Sequence, residues 1–154
     1  MKFPDALTVT AIDLATGEPV PQVALLLELN AERKNNYSVG PAITDNNGQV
    51  RFTRAACENA IAKAQEMFVM DYAGDLRTCG PAAEIRLHSP ESIATMIHNY
   101  ENSPKFWGSG FDAPEELFEG LRKARNSLFE PPTFAIREDD ILERPAVNLY
   151  LRKR

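Results

Sequence analysis

His88 and His98 are the only histidines of this 154-residue chain, and Cys57 and Cys79 its only cysteines, so metal or nucleophile chemistry has to start from these four. His88 closes the alternating stretch Glu84–His88, and His98 falls on the helix that follows. That placement matches no zinc spacing, and the two cysteines do not complete a ligand set, so no metal is expected. Cys79-Gly80-Pro81 is expected in a loop, where Cys79 could meet a histidine as a nucleophile, but no third group is indicated to orient the pair. One cysteine pair without a C-x-x-C is too sparse for a disulfide framework, and both are read as reduced apolar residues. Asp45-Asn46-Asn47-Gly48 lacks the alternating ligands and distant glutamate of a calcium loop and reads as a turn. Glu138-Asp139-Asp140 reads as a solvated loop. No glycine-rich phosphate loop is present. No catalytic residue and no cofactor is assigned.

The residues most suggestive of recognition lie in Ser103–Phe111. Phe106, Trp107 (the single tryptophan) and Phe111 sit between glycines and prolines there. Aromatics at an exposed loop tip are frequent interface anchors, so these three are the candidate partner-binding residues. The competing reading folds them back to cap the neighbouring helices. Asp71–Asp75 is a second polar loop, with Tyr72 as its one aromatic.

The bulk properties narrow the class. A chain of this length suits one domain, 1–154, with a real core. Hydrophobic residues at 44% and charged ones at 25% are ordinary for a soluble globular protein. A net charge of −5 argues against nucleic acid and anionic membrane as partners. The terminal Leu151-Arg152-Lys153-Arg154 is basic but too short for a binding stripe. Pro4 and Asp5 interrupt any signal core, and no apolar run nears the ~18 residues of a membrane span, so the cytoplasm is the expected compartment.

The elements that must position these residues begin with β-structure. Leu7, Val9 and Ala11 alternate with Thr8, Thr10 and Ile12, the period of a half-buried strand. Leu14–Pro19 is a turn, and Val23–Leu29 is apolar enough for a central strand. Ala42–Thr44 and Gln49–Phe52 around Asn47-Gly48 predict a hairpin. Ala56, Ala60, Ile61, Ala64, Met67 and Phe68 recur at helical spacing. Strands are expected around Phe68–Tyr72 and Glu84–His88. Ser89-Pro90 opens a helix with Ile93, Met96, Ile97 and Tyr100 as its stripe. Another helix starts at Asp112–Glu116, with Arg122, Lys123 and Arg125 near its end. Val147, Leu149 and Leu151 mark a closing strand. Strands dominate and the helices are too irregular for parallel βαβ units. The expected fold is mainly β (α+β), a β-sandwich with a helical insert at about 89–130 before the final strand.

"LTVTAIDLATGEPVPQVAL" followed by "TDNNGQVRF", within residues 7–54, resembles the transthyretin-like family and the related carboxypeptidase regulatory-like domains. The resemblance implies a transthyretin-like or immunoglobulin-like β-sandwich over about a third of the chain. One branch of the family is enzymatic, the 5-hydroxyisourate hydrolases. Its catalytic histidine would fall at Thr10, the arginine after its hairpin glycine at Gln49, and its Tyr-Arg-Gly-Ser end where Tyr150-Leu151-Arg152-Lys153 stands. Threonine and glutamine supply neither the base nor the cation that hydrolysis needs.

The expected function is therefore a non-catalytic intracellular protein-binding or assembly module, meeting a protein partner or a second copy of itself. Two alternatives stand beside it: a hydrolase of a small polar substrate at an unidentified site, and a small-ligand carrier at an oligomer interface.

Overall fold

The computed structural model describes residues 1–31, 36–68, 75–102 and 115–154. Alternation carries the first strand. In β1 (Ala6–Asp13), Leu7, Val9 and Ala11 are fully buried and their neighbours are half-exposed. The remaining elements are β2 (Ala24–Ala31), β3 (Asn36–Ile43), β4 (Gln49–Thr53), α1 (Arg54–Phe68), β5 (Cys79–Leu87), α2 (Pro90–Asn102), α3 (Glu115–Arg122), β6 (Thr133–Arg137), α4 (Glu138–Glu143) and β7 (Ala146–Leu151). The strands form two sheets, ordered β4-β1-β7 and β3-β2-β5-β6. The chain is thus mixed α/β and rich in strand. The inward residues of both sheets join one buried cluster, to which Leu7, Val9 and Leu149 come from the first sheet and Leu25, Leu27 and Ile85 from the second.

The stretch read as a hairpin is something else. β3 pairs with β2, whereas β4 pairs with β1 in the other sheet. The turn between them has the expected chemistry: Asp45 Oδ1 accepts from the backbone N–H of Asn47 and Gln49, both at 2.9 Å. Its task is to carry the chain across the core, because Tyr37 and Val39 of β3 and Val50 and Phe52 of β4 are all buried. A hairpin would have put both pairs on one face of one sheet. Gly48 holds φ at 72°, and a Cβ there would stand 2.8 Å from the Ala11 carbonyl oxygen and 2.9 Å from the Val20 nitrogen. We expect Gly48→Ala to lose about 2–4 kcal/mol of stability, through the left-handed backbone and this backbone contact together. Urea unfolding measures it, and a loss below about 1 kcal/mol would show that the turn can relax.

Other expectations shift in informative ways. The buried stripe of α1 is Cys57, Ala60 and Ile61 with Ala64 partly covered, while Ala56 is exposed. Phe68 ends this helix, and the rest of the strand expected at Phe68–Tyr72 lies outside the described residues. Cys79-Gly80-Pro81 is not a loop but the start of β5, where Cys79 registers with Ala31. The pairing with β2 shifts between Leu29 and Ala31, and an irregular ladder accommodates a proline that has no N–H to donate. Glu138–Asp140 is the first turn of α4, favoured by the helix dipole and pinned by the fully buried Ile141. Two strands follow the helical excursion instead of one. β6 is short, and Phe134 and Ile136 alone alternate in it between Pro131-Pro132 and the acidic Glu138–Asp140, too brief a period to mark a strand.

α2 starts as its capping residues dictate: Ser89 Oγ accepts from the Ser92 N–H at 3.0 Å. Its stripe packs in a second cluster, where Ile93 meets Phe118 and Leu121 of α3 and Ala24 of β2. Tyr100 stacks on Phe118 with ring centroids 3.6 Å apart. Asn126, buried at 2% exposure, fastens this layer to the sheet. Its Oδ1 accepts from the Ala24 N–H at 2.8 Å, and its Nδ2 donates to the carbonyls of Ala24 and His88 at 2.9 and 2.8 Å.

Candidate functional site

Each residue singled out for chemistry has a definite place. Cys79 and His88 stand at opposite ends of β5, about 30 Å apart at the rise of an extended strand. Burial raises the Cys79 thiol and pushes Cys57 up to about 12, so neither holds the thiolate that attack requires. His88 Nδ1 lies 3.5 Å from Ser92 Oγ, and its Nε2 is buried without a hydrogen-bond partner among the described residues. Burial lowers its pKa to about 4, which keeps the ring neutral at physiological pH. His98 is exposed on α2, with Nδ1 3.2 Å from Asn102 Nδ2. Among the described residues no three His, Cys, Asp or Glu side chains gather as a metal site. Phe106, Trp107 and Phe111 lie outside the described residues, as do Asp71–Gly74.

Two surfaces remain where side chains converge, one on the outer face of each sheet. On β3-β2-β5-β6, Glu28 registers directly with Glu84, and Arg86 bridges both. Its Nε lies 2.9 Å from Glu28 Oε2 and its Nη2 2.5 Å from Glu84 Oε2. Asn36 donates to the other Glu28 oxygen at 3.1 Å. A carboxylate pair of this kind suggests acid–base work. Here one arginine bridges both carboxylates and offsets one of their two charges, and the cluster is a cross-strand clamp. Its signal in the sequence was weak: Glu84 and Arg86 alternate outward, but only the fold brings Glu28 opposite them.

The outer face of β4-β1-β7 is different in character. β1 presents Thr8, Thr10 and Ile12, β4 presents Gln49 and Arg51, and β7 presents Asn148 and Tyr150. Registers set Thr10 between Gln49 and Asn148, and Ile12 beside Tyr150. Gln49 Nε2 donates to Thr10 Oγ1 at 3.5 Å, a long bond. Thr10, Gln49 and Tyr150 thus share one face. Parallel pairing of β1 with β7, the first and last strands, makes that possible.

No acidic side chain projects from these strands on that face. Asp13, at the end of β1, points inward and is buried at 5% exposure. The Ala15 N–H at 2.9 Å and the Lys153 ammonium at 3.4 Å hold its carboxyl below the usual range. Tyr150 is 52% exposed, and so is Leu14, which follows β1. The face is low in charge and cationic where charged, with Arg51 forming no ion pair among the described residues. Hydroxyls, amides and one phenol on a sheet can bind and align a surface. They supply no nucleophile activated by a neighbouring base.

No family model matches the chain, and no curated protein matches it. Among the described residues no helix is long and apolar enough to cross a membrane.

Proposed function

We propose that this chain is a non-catalytic protein-binding or assembly module of the cytoplasm, built as a transthyretin-like β-sandwich with a helical excursion. The outer face of β4-β1-β7 is its docking surface for a protein partner or a second copy. The observation that carries this reading is the exposed Tyr150 beside Ile12, on a sheet face without a carboxylate in a chain of net charge −5. Charged groups are depleted and tyrosines enriched at the centres of protein interfaces, and this face has both traits. The segment bearing Phe106, Trp107 and Phe111 is a second proposed contact. The overall negative charge favours a protein over nucleic acid or anionic lipid.

The test compares wild type with Tyr150→Glu and Trp107→Ala by sedimentation across a concentration series, and by copurification from the native cell. Tyr150→Glu is expected to weaken association about 30-fold, the effect of a strong interface anchor, without lowering Tm. A wild type that stays monomeric and retains no partner would overturn the proposal, as would association unaffected by Tyr150→Glu.

A further inference from the structure

Where the chain crosses between sheets, β3 and β4 lie at the edges of different sheets, and α1 packs against both. A cleft of about 300 Å³ opens at this seam. Val39 and Phe52 are its buried floor, and Pro41 and Ala42 its half-buried wall. Two local features hold it open. The β2–β3 register shifts between Leu25 and Leu27, opposite Gly40-Pro41, and such a bulge bends a strand away from its neighbour. Ala56 on the first turn of α1 is too small to fill the space. Gly40 sits at the bend with φ at 130°, and a Cβ there would meet the Leu25 carbonyl oxygen at 2.9 Å.

The rim carries two polar side chains, Arg51 and Asn59, and no carboxylate lines the cleft. Both rim groups are exposed, and neither forms a side-chain hydrogen bond or ion pair among the described residues. An unengaged guanidinium above an apolar floor is an arrangement for a molecule with an anionic head and an apolar body. The planar fork of arginine matches a carboxylate, and the Asn59 amide offers a further donor. A volume near 300 Å³ is at the small end of ligand sites, which limits the body to a short chain or a single ring.

We propose that the β3–β4–α1 cleft binds a small amphiphilic monocarboxylate, with its head on Arg51 and Asn59 and its apolar body on Val39, Pro41 and Phe52. Arg51 borders both the docking face and the cleft, but Tyr150 is not part of the cleft, and Ala56 and Asn59 are not part of the face, so Tyr150→Glu and Ala56→Leu test the two separately.

Octanoate, octanol and octylammonium are the probes, added to the full chain and followed by amide chemical shifts. Octanoate is expected to bind with Kd of about 1 mM or tighter, shifting Val39, Ala42, Phe52 and Ala56, with octanol weaker and octylammonium weakest. Arg51→Gln is expected to weaken octanoate about tenfold at unchanged Tm, the share of a charge-assisted hydrogen bond. Ala56→Leu, an exposed helical position, should block the cleft and abolish the shifts while leaving Tyr150-dependent association intact. Equal binding of all three probes, octanoate shifts centred elsewhere, no binding at several millimolar, or full affinity in either variant would overturn the proposal.

Discussion

Asn126→Ala should destabilise the protein by about 3 kcal/mol and lower Tm by about 6–12 °C, for reasons visible in three hydrogen bonds. Ala24 and His88 meet where the β2–β5 ladder ends, and the His88 N–H donates to the Ala24 carbonyl at 3.0 Å. The Asn126 carboxamide enters there and serves both residues. Without it the Ala24 carbonyl keeps the His88 N–H, but the Ala24 N–H and the His88 carbonyl lose their side-chain partner. A buried polar group left without a partner costs about 1–3 kcal/mol. Asn126→Asp is the sharper test, because the shape is kept. A carboxylate oxygen would replace Nδ2 and face two carbonyl oxygens, so Asp should do no better than Ala. Ser127→Ala, next in the chain and exposed, is the control. Thermal and urea unfolding would decide: a loss under about 1 kcal/mol for Asn126→Ala, or rescue by Asp, would remove Asn126 as the fastening between helices and sheet.

His88 should make stability pH-dependent in a window of its own. Its folded pKa, about 4, lies below the ordinary 6.5 because burial penalises the charged ring. Above about pH 7 the ring is neutral in both states and adds no slope. As pH falls through 6.5 the unfolded chain takes up a proton that the folded chain refuses, so stability drops until the folded ring also titrates near pH 4. Between pH 7 and pH 4.5 the loss is expected at about 2 kcal/mol. His88→Leu should flatten that slope. It should leave Tm at pH 7 equal or higher, since it removes a buried Nε2 with no partner among the described residues. Asp13 and Asp75, whose pKa values are lowered, act on the other side: their contributions are present above the ordinary carboxylate range and fade at lower pH. An unchanged slope in His88→Leu would show that the ring gains solvent or a partner in solution.

Local patterns were legible wherever one residue's neighbours in sequence are also its neighbours in space. The alternation of Leu7, Val9 and Ala11, the Ser89-Pro90 start of α2 with its Ile93–Tyr100 stripe, and the Asp45–Gly48 turn all have this property. Cys79 and Glu138–Asp140 were misplaced because partners distant in sequence decide their state. Ala31 across β5 makes a strand of Cys79, and the burial of Ile141 makes a helix of the acidic run. The candidate sites depend on distant partners to a greater degree. Arg51 sits over the cleft only because β3 and β4 part into different sheets.

From the residues alone came the strand-rich class and the punctuation of turns and caps. Period, cap and turn chemistry act over a few residues, and side-chain chemistry needs no fold to be recognised. Tertiary structure decided that the turn at Gly48 joins two sheets, that the first and last strands lie parallel, and that Thr10, Gln49 and Tyr150 share a face. Strand pairing is chosen by the burial of whole faces across a long closed loop, so no short stretch encodes it.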